Sequence, residues 1–178
     1  IDKRPEHLCK SSTSTDQLIK YVPKIIKSDH VLWTHVTSPF ICSNTYSQVI
    51  EKYLENLCHF DSLMTVTKIQ KFIWNDRKPV NYNRNLEKWP KTQTIEPLWE
   101  VNSGIFLAHK SIYESNKDRI GNTPYLFELG DDRAFDIDWM TDYKIAEALY
   151  YSMHQISKVS INSRKSLMKK KIPTKKSF

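Results

Sequence analysis

Residues 135–147 read FDIDWMTDYKIAE, and this stretch predicts a junction between an extended segment and a helix. Side chains alternate faces along an extended segment, so Asp136 and Asp138 are expected to share one face while their apolar neighbours point into the protein. Thr141 is a good N-cap, and Asp142 suits the positive end of a helix dipole. We therefore predict a helix from about residue 142 to about residue 155.

The acidic pair at this junction has two interpretations. Two carboxylates held close together repel unless a positive charge lies between them, and hard oxygen ligands with room for water favour Mg²⁺ or Mn²⁺. A phosphate-bearing substrate would supply the remaining metal ligands. The alternative is an ordinary solvated loop end, which is the favoured explanation when the Asp-x-Asp pattern is considered alone.

The composition indicates one folded domain followed by a basic segment. The 178 residues are 39% hydrophobic and 12% aromatic, which suits a single globular domain with a substantial core. Residues 158–178 carry a charge of +8 with no acid, so the net charge of +7 leaves −1 for residues 1–157. We therefore predict an α/β domain over 1–157 and a flexible basic tail over 158–178. The tail could contact nucleic acid, a membrane surface or an acidic partner, but a solvated terminus is the simpler expectation.

The sequence carries no membrane or metal-binding pattern of the usual kinds. No apolar run approaches membrane-spanning length and no signal peptide is visible, so a cytoplasmic location is expected. The three cysteines lack the spacing of a metal site, and the six histidines do not pair at ligand spacing. We expect the cysteines to be reduced, and we expect neither membrane nor nucleic acid as a partner of the folded domain.

The order of apolar patterns predicts a three-layer α/β/α fold with a mostly parallel central sheet. Residues 30–36 are almost continuously apolar, as in a central strand that is covered on both faces. The other predicted elements are helices after residue 16, over 43–57 and over 111–117, and strands over 61–68, 105–108 and 125–129. Residues 70–100 have no clear period, which is typical of a substrate loop or of part of a subunit contact.

Polar residues at the predicted element ends are candidates for ligand binding. Free amides and hydroxyls over residues 11–16, before the first helix, would suit a phosphate, particularly with Arg4 nearby; helix capping explains them equally well. Thr37 and Ser38 follow the strand at 30–36, and ligands of α/β sheets bind beyond the carboxyl ends of the strands.

Together these segments resemble the acylneuraminate (CMP-sialic acid) cytidylyltransferase family, whose members join CTP to a nine-carbon sugar acid and release pyrophosphate. The similarity extends from about residue 4 to about residue 149. The matching motifs, in the family's order, are RP at 4–5, ST at 14–15, TSP at 37–39, NSGIF at 102–106, DID at 136–138, D at 142 and AE at 146–147.

This resemblance implies a Rossmann-like nucleotide-diphospho-sugar transferase fold, CTP and a sugar acid as substrates, Mg²⁺ or Mn²⁺ as cofactor, and a homodimer. It makes Asp136 and Asp138 the catalytic residues that hold the metal against the CTP phosphates. It assigns nucleotide binding to Arg4, Ser14 and Thr15. It assigns the sugar-acid pocket to His35, Thr37, Ser38, Asn102 and Phe106, with Lys91 and Gln93 as candidates from the irregular segment.

Two departures from the family's pattern keep alternatives open. The family's first strand carries a phosphate-binding loop with Arg, Ser-Lys-Gly and Lys-Asn, and this chain, with three glycines in all, has no counterpart. We therefore expect that residues precede Ile1; the alternative is a non-catalytic relative or fragment that acts as a binding module. The family commonly has Gln-Pro before Thr37, where this chain has His35 and Val36. An acid other than sialic acid is thus a further alternative.

Overall fold

The computed structural model describes residues 1–153, which fall into two compact units. The first unit comprises Ile1–Asp136; the second begins at Ile137 and is described as far as residue 153. The predicted tail over 158–178 and the predicted end of the last helix near residue 155 lie outside the described residues. Within residues 1–153, no helix is both long enough and apolar enough to cross a bilayer.

The first unit contains three helices and four strands among its named elements. In chain order they are α1 (Thr15–Ile25), β1 (His30–Thr34), α2 (Ser43–Glu55), β2 (Ser62–Ile69), β3 (Leu98–His109), α3 (Lys110–Ser115) and β4 (Pro124–Glu128). Short 3-10 helices lie at Glu6–Leu8 and Thr92–Thr94. The predicted elements are therefore present, although β3 begins seven residues before the strand expected at 105–108.

Strand pairing differs from the prediction. The strand order is β1-β3-β2-β4; β3 is antiparallel to β1 and β2, and β2 is parallel to β4. Strands β1, β2 and β4 thus run in one direction, but β3 lies between β1 and β2. The expectation of a mostly parallel sheet is wrong for the pairing, because one of the three described strand pairs is parallel. Residues 70–97 join β2 to β3 without a crossover helix, so β3 can return beside β2 in the opposite direction.

β1 is an outer strand of the described sheet and not the central strand that its apolar run suggested. Val31 is buried, but Leu32 is 41% exposed and Trp33 is half-buried. The strand pairs only with β3, in the register that places Trp33 opposite Phe106. Burial on both faces of the sheet therefore does not explain the apolar side chains of β1.

Alternating side chains of β3 supply the core on both faces of the sheet. Ile105 and Leu107 pack with Val49 and Tyr53 of α2 in one cluster. Ala108 points to the opposite face, where it packs with residues of α1 and α3, Ile19 and Tyr113. Helices thus cover both faces of a mixed sheet, which confirms the three-layer α/β prediction.

The segment between β2 and β3 is irregular but ordered by one buried side chain. Asn81 is 5% exposed, and its carbonyl oxygen accepts from the Ile73 amide at 3.1 Å. Its amide nitrogen donates to the carbonyl oxygens of Lys71 at 2.8 Å and Glu96 at 3.0 Å. The two ends of the segment are therefore held together by a polar residue that no periodicity would reveal.

The helix of the second unit, α4, covers residues 140–153 and so begins two residues before the predicted start. Trp139 is its N-cap, since its carbonyl oxygen accepts from the amides of Asp142 and Tyr143. The Asp142 carboxylate accepts from the amides of Trp139 at 2.8 Å and Asp138 at 3.2 Å. Asp142 thus accepts hydrogen bonds from two backbone amides at the start of the helix, whereas Thr141 lies inside the helix and is not its cap.

Candidate active site

The candidate site lies at the edge of the sheet where β1, β2 and β4 end. Thr34 pairs with Ile105, so His35 leaves β1 beside the part of β3 that carries residues 102–104. β4 ends at Glu128, and the chain continues to Asp136 at the end of the first unit. The structure therefore places His35 and residues 102–104 at one edge of the sheet, where ligands of α/β folds bind, and the charge of Asp136 acts on His35 there.

His35 is a neutral hydrogen-bond acceptor at this edge. Its Nε2 accepts from Trp33 Nε1 at 2.9 Å and from Arg119 Nη1 at 2.8 Å. A ring nitrogen that accepts carries no proton, so these donors place the imidazole proton on Nδ1. Burial, followed by the Arg119 charge, lowers the pKa of His35, while the charge of Asp136 acts in the opposite direction. His35 thus offers an N–H donor to a ligand.

Phe106 forms the floor beneath this group of side chains. It is fully buried on β3, with its ring centroid 6.3 Å from that of His35. The Arg119 guanidinium carbon lies 3.7 Å from the Phe106 ring centroid and 5.3 Å from that of Trp33. The site therefore combines a cation and a neutral imidazole on an aromatic surface.

Ser38 carries a buried hydroxyl without a partner in the described part of the chain. The residue is 7% exposed, and its backbone amide donates to the His35 carbonyl oxygen at 3.4 Å. Its Oγ has no hydrogen-bond partner among residues 1–153. Buried hydroxyls are nearly always paired, so this one is available to a ligand group or an ordered water. Thr37 beside it is half-buried.

Asn102 holds a bulge in β3 through both ends of its side chain. Its Oδ1 accepts from Thr65 Oγ1 at 2.7 Å and from the Gly104 amide at 3.2 Å, and its Nδ2 donates to Thr67 Oγ1 at 3.1 Å. The β2–β3 register shifts at this point, and Ser103 adopts a left-handed φ of 57°. The observed role of Asn102 is thus to shape the strand, and one of its two amide protons remains for the predicted contact with a substrate.

Of the predicted nucleotide residues, Ser14 and Thr15 lie at the start of α1, whereas Arg4 lines a cavity farther along the helix, with Tyr21 and Ile25. Ser14 is the N-cap: its Oγ accepts from the Gln17 amide at 3.3 Å, while Gln17 Oε1 accepts from the Ser14 amide at 2.8 Å. The structure thus contains the capping arrangement that the sequence left as an alternative. Thr15 is exposed at the first helical position. Arg4 is also exposed and lines a cavity of about 190 Å³ next to Tyr21 and Trp33.

Lys91 and Gln93 are not brought to the group around His35 by any described contact. Both side chains are exposed at the 3-10 turn Thr92–Thr94, and neither makes a hydrogen bond or ion pair within residues 1–153. The Gln93 carbonyl oxygen accepts from Gln70 Nε2 at 3.1 Å. Their assignment to the substrate stays a prediction.

The two residues of the acidic pair belong to different units. Asp136 is half-buried and is the last residue of the first unit; Asp138 is exposed and belongs to the second. The Asp138 carboxylate makes no hydrogen bond or ion pair with residues 1–153, so its oxygens are available. Two carboxylates are a donor set that suits Mg²⁺ when phosphates and water complete the shell. The described residues contain no cluster of three or more acidic, histidine or cysteine side chains suited to a metal.

Arg119 and Trp33 are the residues that sequence reasoning missed. Trp33 belongs to the apolar run of β1, where it was interpreted as core, and Arg119 lies in an aperiodic turn before β4. The contact between Arg119 and His35 joins residues 84 positions apart. No local pattern signals such a contact; the nearest hint is an arginine close to the predicted strand at 125–129.

Comparison with known proteins gives weak but consistent similarities. The chain is 20% identical over 148 residues to the N-acylneuraminate cytidylyltransferase of Streptococcus agalactiae serotype III (strain NEM316), a match that covers 80% of this chain and 35% of that protein. The proteins of the same name from serotype Ia (strain A909) and serotype V (strain 2603 V/R) match to the same extent. The chain therefore spans about a third of the length of these curated relatives. No protein-family model matches it.

A solved structure of known fold is also similar. The 4-diphosphocytidyl-2C-methyl-D-erythritol synthase of Anaerococcus prevotii DSM 20548 superposes with a TM-score of 0.55 at 14% identity, covering 79% of this chain and 68% of that one. At this identity the similarity establishes a shared Rossmann-like α/β fold. The sequence similarity supports the nucleotidyltransferase family and does not select a member of it.

Proposed function

We propose that this protein transfers CMP from CTP to a nonulosonic, sialic-type sugar acid and releases pyrophosphate, in the synthesis of surface glycans in the cytoplasm. The observation that carries the proposal is the similarity to N-acylneuraminate cytidylyltransferases, which covers 80% of this chain. The grouping of His35, Phe106 and Ser38 at the sheet edge, with a buried unpaired hydroxyl among them, supports a polar ligand there.

In the proposed reaction a hydroxyl oxygen of the sugar acid attacks the α-phosphorus of CTP. The bond from this phosphorus to the bridging oxygen breaks, pyrophosphate leaves with the bonding electrons, and the hydroxyl proton is lost to base or water. His35 donates through Nδ1–H and Ser38 through its hydroxyl to orient the acceptor, and the buried ring of Phe106 supports these side chains from below. Catalysis by such a site is positioning and charge stabilisation, and it requires no covalent nucleophile.

The proposal includes Mg²⁺ or Mn²⁺ held by Asp136 and Asp138. When bound, the ion would neutralise charge on the phosphates and on the departing pyrophosphate. Arg4, Ser14 and Thr15 are proposed to bind the nucleotide, and Thr37, Asn102, Lys91 and Gln93 to complete the acceptor pocket. We also propose a homodimer as the assembled state.

Pyrophosphate release by the full-length protein tests this function. Reactions contain CTP, Mg²⁺ and, one at a time, N-acetylneuraminate, other nine-carbon acids and an eight-carbon 3-deoxy-2-keto acid. We expect release with one class of acid, dependent on both the metal and the acid. A folded protein that releases no pyrophosphate with any of them would contradict the transferase and favour the non-catalytic alternative.

Asp138→Asn tests the metal assignment in the same assay. The substitution removes one charge without changing shape, and the carboxylate has no described partner to lose, so the fold should persist. We expect turnover to fall by about 100-fold or more, with partial recovery at higher metal concentration. Asp131→Asn, at an exposed carboxylate, is the matched control. Turnover of Asp138→Asn at the level of the control would contradict the assignment.

A further inference from the structure

Arg119 is a half-buried cation held in one orientation by aromatic rings. Its guanidinium carbon lies 3.7 Å from the centroid of Phe106 and 5.3 Å from that of Trp33. Stacking on a ring face occupies one face of the guanidinium plane and leaves its edges for hydrogen bonds. The group is therefore preorganised, with little rotamer freedom left to lose when a ligand arrives.

Arg119 forms none of the salt bridges found within residues 1–153. The ion pairs there involve other residues and are exposed at the surface. The neighbouring carboxylate of Asp118 is used differently, since it accepts from the Arg119 backbone amide at 2.6 Å. Burial lowers the pKa of Arg119, and the charges of Tyr113 and Asp118 offset this only in part. A partly desolvated cation of this kind is stabilised by an anionic ligand.

The hydrogen bond to His35 does not satisfy Arg119. Nη1 donates to His35 Nε2 at 2.8 Å, and the same nitrogen also accepts from Trp33 Nε1. The imidazole is thus neutral: it fixes the direction of the guanidinium without cancelling its charge. The remaining N–H groups of Arg119 have no acceptor in the described part of the chain, and the side chain is partly exposed.

We propose that Arg119 is the residue that binds the carboxylate of the acceptor acid, with His35 and Phe106 as its positioning residues. This inference rests on the proposed function, which supplies a substrate that carries a carboxylate. A planar carboxylate matches one edge of a guanidinium with two parallel hydrogen bonds, and only the edges of this stacked group are free. Lys91, the basic candidate from the sequence, offers no comparable preorganisation because it is exposed and unstacked.

Binding of acceptor acids to the full-length protein, without CTP, tests the subsite by calorimetry. The probes are N-acetylneuraminate, an eight-carbon 3-deoxy-2-keto acid, and the methyl ester of each, in which the negative charge is gone. We expect Arg119→Gln to weaken acid binding by about 10-fold or more, and Arg119→Lys to recover part of it. The esters should bind the wild-type protein and Arg119→Gln equally weakly.

A measurement of CTP binding in the presence of Mg²⁺ shows whether Arg119 binds the carboxylate of the acid or a phosphate of CTP. We expect Arg119→Gln to change the affinity for CTP by less than about twofold, which corresponds to about 0.4 kcal/mol. Arg77→Gln, at an exposed arginine beside Asp76, is the matched control and should change neither affinity. Thermal melts of Arg119→Gln and Arg119→Lys verify that both variants are folded.

Each outcome decides the inference. Unchanged acid affinity in Arg119→Gln, an equal loss for acid and CTP, or no acid binding by the wild-type protein would overturn it. Failure of the proposed function is recognised separately. Acid binding that depends on Arg119, without any release of pyrophosphate, would support the carboxylate subsite and contradict the transferase function. Pyrophosphate release with an unchanged KM for the acid in Arg119→Gln would support the transferase function and contradict the subsite.

Discussion

At the scale of the residue, Asp61 organises the turn that leads into β4. Its carboxylate accepts from the amides of Asn122 at 2.6 Å and Thr123 at 3.1 Å, and from the Ser62 hydroxyl at 3.1 Å. The Gly121 amide donates to Ser62 Oγ at 2.8 Å. A Cβ at Gly121 would overlap the Asp61 carboxylate, which cannot move without losing these bonds. The close approach, and not a left-handed backbone, is the reason for glycine here.

Gly121→Ala should therefore destabilise the protein by about 1–3 kcal/mol, the usual cost of overpacking a constrained site. Urea denaturation of the variant measures this change in the free energy of unfolding. Gly130→Ala is the matched control, since its Cβ would meet only the exposed Asp132 side chain, at 2.8 Å. Its effect should stay within about 0.5 kcal/mol. Equal effects of the two substitutions would show that Asp61 does not constrain the turn.

His35 should make stability dependent on pH. Its pKa is lowered in the folded protein by burial and by Arg119, against the opposing charge of Asp136. The unfolded chain thus binds the proton more tightly, and the stability that the neutral imidazole contributes is complete above its unfolded pKa of about 6.5. It is lost as the pH falls through the lower pKa of the folded state.

We expect the free energy of unfolding of the wild-type protein to decrease more steeply than that of His35→Gln as the pH is lowered from about 7 to about 5. Denaturant titrations at a series of pH values provide the measurement. His59→Gln, at an exposed histidine, should follow the wild-type curve. If the free energies of unfolding of the wild-type protein and His35→Gln decreased equally with falling pH, protonation of His35 would not be coupled to unfolding.

At the scale of the element, the N-terminus of α1 is capped by a side chain in the structure, and we also propose that it binds the nucleotide. Ser14 and Gln17 exchange hydrogen bonds between side chain and backbone, which satisfies two amides at the start of the helix. A phosphate would have to share this terminus with the cap. Substitutions that separate capping from charge can therefore distinguish the two roles.

Ser14→Ala should lower the free energy of unfolding by about 1 kcal/mol, because it removes the cap. Ser14→Asp should keep the wild-type stability, because aspartate caps equally well. If Ser14 also faces the CTP phosphates, the new carboxylate should repel them and raise the KM for CTP. Denaturation and steady-state kinetics provide the two measurements. An unchanged KM in Ser14→Asp would leave Ser14 as a cap alone.

At the scale of the whole molecule, charge is distributed unevenly along the sequence. The last 21 residues contribute +8 and the rest −1. Every candidate site residue precedes this segment. Deleting residues 158–178 should therefore leave turnover and the proposed dimeric mass unchanged. Pyrophosphate release and light scattering verify these expectations, and a large loss of either would assign the segment to the active site or to the dimer.

Sequence reasoning located most elements because their signals are local. The apolar stripe of α2, the alternation in β2 and the short strand β4 all depend on residues within one element. The pairing of strands was harder: the run of β1 suggested a central parallel strand, but β3 lies beside it in the opposite direction. The irregular connection over 70–97 has no sequence pattern from which the direction of β3 could be predicted.

By itself the sequence determined the three-layer α/β class and the order of its elements, which follow from periodicity and helix caps. It also indicated that Thr37 and Ser38 follow a strand at its carboxyl end, whereas the assignment of Asn102 to the same pocket came from the family resemblance. Only the tertiary structure decided that β3 separates β1 from β2 and that Arg119 stacks on Phe106 and donates to His35. Those contacts join residues 13 and 84 positions apart, and their free energy depends on packing and desolvation, which no local pattern encodes.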